Sequence, residues 1–513
     1  MTSALPYANG PIHLGHLAGC YLPADIYVRY QRLKGKDVIH IGGTDENGVP
    51  ITLAAEREGV SPKVIVDRYH KSIKESLEEF GIAFDNFSRT SIPLHYRTAQ
   101  DFFVTIFKKG YIFPRETTQL FCSSCERFLA DRYVEGTCPN CGSGEARGDQ
   151  CEECGRWLEP TSLKDPRCKI CGTSPEVRRT VHWFFSLDRF QKQLEDWLSG
   201  KPDWKDNVRR FCEGWFRSGL EPRPITRDLA WGVPVPLKEA KGKVLYVWFD
   251  APIGYISSTI EWAENKEEAD LWQEYWSSPD TKLVHFIGKD NIVFHAMVWP
   301  AMLMAHGGYI LPSEIPANEF LNVEGEAMST SRNWAIWLPD YLKEFEPDPL
   351  RYCIAINAPE TRDADFTWMD FQARVNNELA DVLGNLVNRT VAFVFRYYQG
   401  AVPRRHRMRS EDTNLLGEME ETRREVGDLL EGFNVKKALR QVMDLAKAGN
   451  RYFDHSKIWE TREKKPDTCE TSLSVLLQLM NGLATLMEPF LPFTARRMRG
   501  ILRTELDGWD EAG

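Results

Sequence analysis

Pro6-Tyr7-Ala8-Asn9-Gly10-Pro11-Ile12-His13-Leu14-Gly15-His16 decides the fold class of this chain. It lies where an expected strand, Ser3 to Leu5, turns into a helix-like run. In α/β sheets, ligands bind outside the carboxyl ends of the strands, and helix N-termini attract phosphate. Gly15 has no Cβ, so a nucleotide can approach its backbone closely. His13 and His16 are candidate hydrogen-bond donors to phosphate oxygens as charge develops on a transferring group. Taken alone, His-x-Gly-His is short, and a turn with two surface histidines explains it equally well.

The surroundings favour the α/β reading. Val38 to Ile41 is a strand candidate ending at Gly42-Gly43, and Ser72 to Phe80 reads as part of a helix. Val244-Leu245-Tyr246-Val247-Trp248-Phe249 and Leu283-Val284-His285-Phe286-Ile287 read as later strands, each followed by a polar turn. Strands alternating with helical patterns predict βαβ units and a parallel sheet. After about Glu360 the rhythm becomes helical: Leu379, Val382, Leu383, Leu386 and Val394, then Val435, Ala438, Leu439, Val442 and Leu445. With the apolar stretch Leu473 to Met487, this predicts a helix bundle. The expected layout is an α/β core over 1–114 and 181–359, an insertion over 115–180, and a bundle over 360–513.

Bulk properties narrow the function classes. A chain of 513 residues holds more than one core. Its 42% hydrophobic and 27% charged residues are those of a globular protein. No apolar run reaches membrane-spanning length, and no basic-then-apolar leader opens the sequence, so a cytoplasmic location is expected. A net charge of −10 argues against binding nucleic acid by overall charge. A local basic face is still sufficient, and Arg404, Arg405, His406, Arg407 and Arg409 make one, although a solvated loop explains that run as well. No Walker-type G-x-x-x-x-G-K-[ST] is present.

Of twelve cysteines, eight form four C-x-x-C pairs: Cys122/Cys125, Cys138/Cys141, Cys151/Cys154 and Cys168/Cys171. They lie among Gly, Pro, Asp and Glu, with too few large apolar residues for an independent core, so the insertion needs metal to hold a shape. Eight thiolates suit two tetrahedral zinc sites of four cysteines each, structural because no coordination position stays open. The spacing leaves open which pairs share an ion.

With these motifs in hand, the chain resembles the methionyl branch of the class I aminoacyl-tRNA synthetases. His13-Leu14-Gly15-His16 looks like that class's HIGH signature, and Ala4-Leu5-Pro6-Tyr7-Ala8-Asn9-Gly10 resembles the methionyl form of its flank. The match continues in order through Gly43-Thr44-Asp45-Glu46-Asn47-Gly48, Ile225-Thr226-Arg227-Asp228 and Trp231-Gly232. It goes on through Tyr246 to Tyr255, then His285-Phe286-Ile287-Gly288-Lys289-Asp290, Phe294-His295 and Trp299 to Met302. The resemblance covers nearly the whole chain.

It implies a Rossmann-like catalytic core, a zinc-knuckle insertion and an anticodon-binding bundle. The implied reaction activates L-methionine with ATP, assisted by Mg2+, and loads it onto tRNA(Met). The implied ATP site is His13, Gly15, His16, Gly288, Lys289, Asp290, Thr330 and Ser331, with His13, His16 and Arg332 catalytic. The implied methionine site is Ala4, Leu5, Tyr7, Asp45, Trp248, Ala251, Pro252, Tyr255, Asn291 and His295. Such a pocket suits a thioether, which is selected by shape and sulfur–ring contacts, while Asp45 would hold the ammonium. Cys138, Cys141, Cys151 and Cys154 match a site found widely in the family, leaving Cys122, Cys125, Cys168 and Cys171 for a second, nested one. Asn385 and Arg389, four apart on one helix face, match the anticodon readers, and Trp459 the stacking residue.

The pattern breaks at Glu326-Ala327-Met328-Ser329-Thr330-Ser331-Arg332-Asn333. The class carries KMSKS here, with lysines that stabilise ATP phosphates. Thr330 replaces the second lysine, as in one branch of methionyl enzymes, and Ala327 replaces the first. This admits an alternative, a weakened or inactive relative that still binds tRNA. The five residues before Pro6 leave a shorter first strand than the resemblance implies. With no appended module after the bundle, a monomer is the default expectation. A leucine, isoleucine or valine enzyme fits less well, because those usually carry an editing insertion where the cysteine pairs stand.

Overall fold

The computed structural model describes residues 1–129, 133–148, 151, 154, 158–329, 333–505 and 508–511. Five short strands make the central sheet: β1 (Thr2–Ser3), β2 (Ile41–Thr44), β3 (Asn86–Arg89), β4 (His285–Gly288) and β5 (Ala317–Asn318). They lie in the order β5-β4-β1-β2-β3, with all neighbours parallel. Parallel strands are covered on both faces, and β2 is buried at every residue. The strand order reverses between β1 and β4, and the ligand crevice of such sheets opens at that switch point.

Several sequence expectations shift, beginning with the first strand, which is Thr2–Ser3 rather than Ser3 to Leu5. The second strand keeps only Ile41 of the expected Val38 to Ile41 and runs on through Gly42 and Gly43 to Thr44. A Cβ on Gly42 would meet Phe84 at 2.5 Å, and one on Gly43 the Ser88 carbonyl oxygen at 2.7 Å, so only glycine lets β3 and its approach pack this closely. The expected strand Val244–Phe249 keeps only Val244 and Leu245, paired with Arg227 and Thr226. Phe249 and Asp250 N–H groups then both donate to the Tyr246 carbonyl, closing a helical turn over Val247–Asp250. The 3.6-residue rhythm around Leu379 belongs to a π-helical stretch, Val375–Gly384, between helices Trp368–Arg374 and Asn385–Tyr398.

The insertion stands on an antiparallel ribbon. Strands Ile112–Cys122 and Glu176–Phe185 pair from Ile112 opposite Phe185 to Phe121 opposite Glu176. Arg115 lies over the Phe184 ring and Arg178 over Phe121, each at 3.7 Å, which stiffens an exposed ribbon by cation–π attraction. Beyond it, a small core of Leu120, Leu129, Tyr133, Val134, Ala146, Leu158 and Leu163 gathers around the cysteines.

Strand Ala364–Phe366 pairs with Leu321–Val323, which also pairs with Glu326–Ala327, so the signature-loop sheet extends past residue 359. Helices Ser410–Glu431, Val435–His455, Pro466–Met487 and Pro492–Leu502 complete the bundle. The bundle is pinned to the core by Arg351. This fully buried guanidinium donates to Asp25 Oδ2 (2.7 Å) and to the carbonyls of Pro489 and Phe490. Among the described residues, no helix is long and apolar enough to cross a membrane.

Candidate active site

The turn after β1 is laid onto the end of β2: Ala8 N–H donates to the Asp45 carbonyl and Asp45 N–H to the Pro6 carbonyl, both at 2.8 Å. His13 then caps a short helical turn. Its Nδ1 accepts from Gly15 N–H (3.1 Å), while His16 Nδ1 accepts from His13 N–H (3.2 Å), a reciprocal capping box. Because each Nδ1 accepts, each ring carries its proton on Nε2, giving two N–H donors on rings with centroids 3.9 Å apart. Burial lowers the His13 pKa to about 2 and that of His16 to about 4, so both rings are neutral donors at physiological pH.

The signature loop already rests on this turn. A Cβ on Gly15 would come within 2.8 Å of the Met328 methyl, which explains the glycine. Leu14 N–H donates to the Ile336 carbonyl, Leu338 N–H to that of Ile12, and the Trp337 ring meets His13 edge-on at 5.7 Å. Ala327 is exposed on its short strand, while Ser329 and Trp334 exchange two backbone hydrogen bonds at 2.9 and 3.0 Å. Thr330, Ser331 and Arg332 lie outside the described residues.

Across the switch point, β4 delivers Gly288, Lys289, Asp290 and Asn291. Lys289 Nζ donates to Glu319 (2.9 Å) and Asp363 (2.7 Å) and sits 4.2 Å over the Phe320 ring. Asn291 offers its carbonyl to His295 Nδ1 (3.1 Å); a carbonyl only accepts, so that nitrogen carries the proton and Nε2 accepts from the Tyr255 hydroxyl (2.8 Å). Burial lowers the His295 pKa to about 4, so this ring too is neutral. Ala4 holds the Tyr21 hydroxyl through its carbonyl (2.6 Å), and Leu5 packs so tightly that a Cβ on Gly254 would meet it at 2.9 Å. Tyr7 pairs with Asp45 at a backbone bridge, and Ala251 and Pro252 are buried at the start of the helix that carries Tyr255. Asp45 is buried; burial first and the neighbouring Asp250 second push its carboxyl well above the ordinary range. Such a group gains most from a cation placed beside it.

Two positions escaped the sequence. Trp248 stacks on Phe294 with centroids 3.5 Å apart and planes 5° apart. Phe294 stood beside His295 in the sequence, yet nothing in the spacing revealed that it would lie on a ring from another element. Asn47 links Asp45 to Asp250, and Asp250, though inside the matched run Tyr246 to Tyr255, carries no role of its own from sequence.

The eight cysteines gather into two groups, Cys122/Cys125/Cys168/Cys171 and Cys138/Cys141/Cys151/Cys154, with all sulfurs of a group within 4.8 Å of one another. Sulfur–sulfur distances are 3.4 Å for Cys122 and Cys171, 3.9 Å for Cys125 and Cys168, 3.9 Å for Cys138 and Cys154, and 3.6 Å for Cys141 and Cys151. A tetrahedron of sulfurs at about 2.3 Å from a central ion has edges of about 3.8 Å. Both groups therefore fit a four-coordinate metal ion, and the pairing is nested.

Residues 1–391 match a family model described as tRNA synthetases class I (M), and residues 402–513 one described as the anticodon binding domain of methionyl tRNA ligase. The methionine–tRNA ligase of Bacteroides fragilis is 50% identical over 516 residues, covering 100% of this chain and 75% of that protein. The chain belongs to the methionine–tRNA ligase family. The Porphyromonas gingivalis ligase is likewise 50% identical over 517 residues, with 100% and 75% covered. The Mycobacterium tuberculosis methionyl-tRNA synthetase, solved in complex with methionyl-adenylate, superposes with a TM-score of 0.81 at 26% identity, over 97% of this chain and 92% of that one.

At the far end of this ligase-family chain, Asn385 and Arg389 lie on helix Asn385–Tyr398, which follows the π-helical stretch directly; π segments often occur at functional sites. Asn385 is exposed. Arg389 donates to Asp454 (2.5 Å) and stacks on Phe453 at 4.1 Å. Trp459 lies 6.4 Å from Phe453, centroid to centroid, and is 49% exposed. The structure thus gathers Arg389 and Trp459 around one aromatic ring.

Proposed function

We infer that this chain is a methionine–tRNA ligase. It condenses methionine with ATP to methionyl-adenylate and pyrophosphate, then transfers the methionyl group to the 3′ end of tRNA(Met). The observation that carries this reading is the crevice at the β1/β4 switch point. There two neutral Nε2–H donors, His13 and His16, lie on the turn that also brings Tyr7 beside Asp45. In this assignment Asp45 holds the methionine ammonium. Ala4, Leu5, Tyr7, Trp248, Ala251, Pro252, Tyr255, Asn291 and His295 shape the thioether pocket, with Phe294 added behind Trp248. Gly15, Gly288, Lys289, Asp290, Thr330, Ser331 and Arg332 serve ATP, which arrives with Mg2+. Catalysis is then mostly positioning and stabilisation of phosphate charge. The relatives named as ligases lend the inactive-relative alternative no support. A cytoplasmic monomer completes the reading.

Asn385, Arg389 and Trp459 are assigned to the anticodon, with Trp459 as a stacking platform for an unpaired base. Stacking on an aromatic ring contributes about 1–3 kcal/mol per base. The test compares methionine-dependent ATP–pyrophosphate exchange with aminoacylation. The unaltered chain should support both, and Trp459→Ala should keep exchange within about twofold. Its kcat/KM for tRNA should fall about 5- to 150-fold. Loss of exchange and charging together would refute the anticodon assignment, and binding of tRNA without any exchange would refute the enzyme.

Zinc is the ion assigned to both cysteine groups, because four thiolates with no open position are its usual structural site. Elemental analysis should find two zinc ions per chain. Cys125→Ser combined with Cys138→Ser removes one ligand from each nested group and should leave none. Under sequential pairing those two cysteines would share an ion, and one zinc would remain.

A further inference from the structure

A chain of four buried polar residues leads away from Asp45 and has no part in the reaction proposed for this site. Asn47 N–H donates to Asp45 Oδ1 (3.2 Å), and Asn47 Nδ2 donates to Asp250 Oδ2 (2.7 Å). His95 Nε2 lies 3.4 Å from that same Asp250 oxygen, and His95 Nδ1 lies 2.9 Å from Ser257 Oγ. The Ser257 hydroxyl is 3.2 Å from the Gly254 carbonyl oxygen, one turn back on its helix. Asn47 is 1% exposed, and His95, Asp250 and Ser257 are fully buried.

Hydrogen positions follow from counting. The serine has one proton and the carbonyl only accepts, so Ser257 donates to Gly254 and accepts from His95 Nδ1–H. With its proton on Nδ1, a neutral His95 would aim the Nε2 lone pair at a carboxylate oxygen, and both groups are fully buried. A proton between Nε2 and Asp250 Oδ2 removes that conflict, whichever partner holds it.

We propose that His95 and Asp250 share one proton and form a buried pair of zero net charge, which leaves Asp45 as the net anion that meets the methionine ammonium. His95 is then a positioning residue for substrate charge. The proposal rests on the assignment of Asp45 to the ammonium. Its consequence is electrostatic. Burial and Asp250 already push the Asp45 carboxyl up. A full, uncompensated charge on Asp250 would push it further, so that Asp45 would bind a proton in place of the substrate cation. Three neighbouring titratable groups add no unpaired charge. Glu46 is held by Arg89 (2.8 Å), while burial keeps the phenols of Tyr96 (pushed up to about 12) and Tyr255 neutral.

The test is the pH dependence of kcat/KM for methionine in pyrophosphate exchange, between about pH 5.5 and 8.5. His95→Gln keeps a donor toward Asp250 but removes the shared proton. Its acidic limb should move up by about one pH unit, a tenfold loss on that limb. The loss should fall on the methionine KM, with kcat and the ATP KM within about twofold. Adding Asp250→Asn to His95→Gln should return the limb to its parental position. A lower melting temperature with an unmoved limb would overturn the proposal. Should His95→Gln fail to fold, Asp250→Asn alone decides: the limb stays put if the parental pair is neutral, and moves down by about a unit if Asp250 carries net charge. Asp45→Asn separates the two readings. If it leaves the methionine KM unchanged, the assignment of Asp45 fails and this proposal with it. If it raises that KM while His95→Gln leaves the limb in place, only the shared proton fails.

Discussion

Ala327→Lys should accelerate methionine-dependent pyrophosphate exchange by about 10²–10³-fold, the usual worth of one donor to transition-state charge. Ala327 is exposed on the strand Glu326–Ala327, so a lysine enters without a clash. The next residue, Met328, already packs on Gly15 of the signature turn, so position 327 stands one residue from the assigned phosphate site. Lys289, a charged candidate to substitute for the missing lysine, is already committed. Lys289 is engaged by Glu319, Asp363 and the Phe320 ring, and reaching a phosphate would break two ion pairs. Initial rates at saturating methionine and ATP measure the effect. A gain below about threefold would mean that another group already supplies the charge, and Lys289→Ala would then be the variant to examine.

His16→Ala should lower kcat by about 10²–10³-fold and leave the methionine KM within a few-fold, because a donor to developing charge acts in the transition state. The pH profile adds a signed expectation. Burial lowers both imidazoles, to about 2 for His13 and about 4 for His16, so both stay neutral from about pH 5.5 upward. Neither should contribute a limb to the rate between pH 5.5 and 8.5. If His16→Ala costs less than about tenfold, the ring serves only to cap His13 N–H.

The fold class was legible because alternating strands and helices, a cysteine-dense insertion and a change of rhythm near residue 360 are local patterns. The element details were not, for a tertiary reason in each case. Gly42 and Gly43 read as a strand end until Phe84 and Ser88 are seen to occupy the space a Cβ would take. Val247 to Phe249 has strand composition, yet Tyr246 turns the chain by accepting two N–H groups. Among site residues, those inside contiguous motifs could be named from sequence: His13, His16, Asp45, Trp248 and His295. Phe294 against Trp248, and Asp250 with His95, depend on contacts between elements far apart in the chain. The nested cysteine pairing likewise needed the ribbon that brings Cys122 beside Cys171.

The sheet order also governs how the molecule is made. β1 lies at its centre, bonded on one side to β2 and on the other to β4, with Thr2 touching His285 across 283 residues. Synthesis at about 5–20 residues per second leaves that edge open for about 15–60 s after Thr2 is made. During that interval a central strand, and the histidine turn hung from it, lacks one of its two neighbours. An unpaired edge invites other strands, so nascent chains of this protein have a window for aggregation that closes only when residues 285–288 emerge.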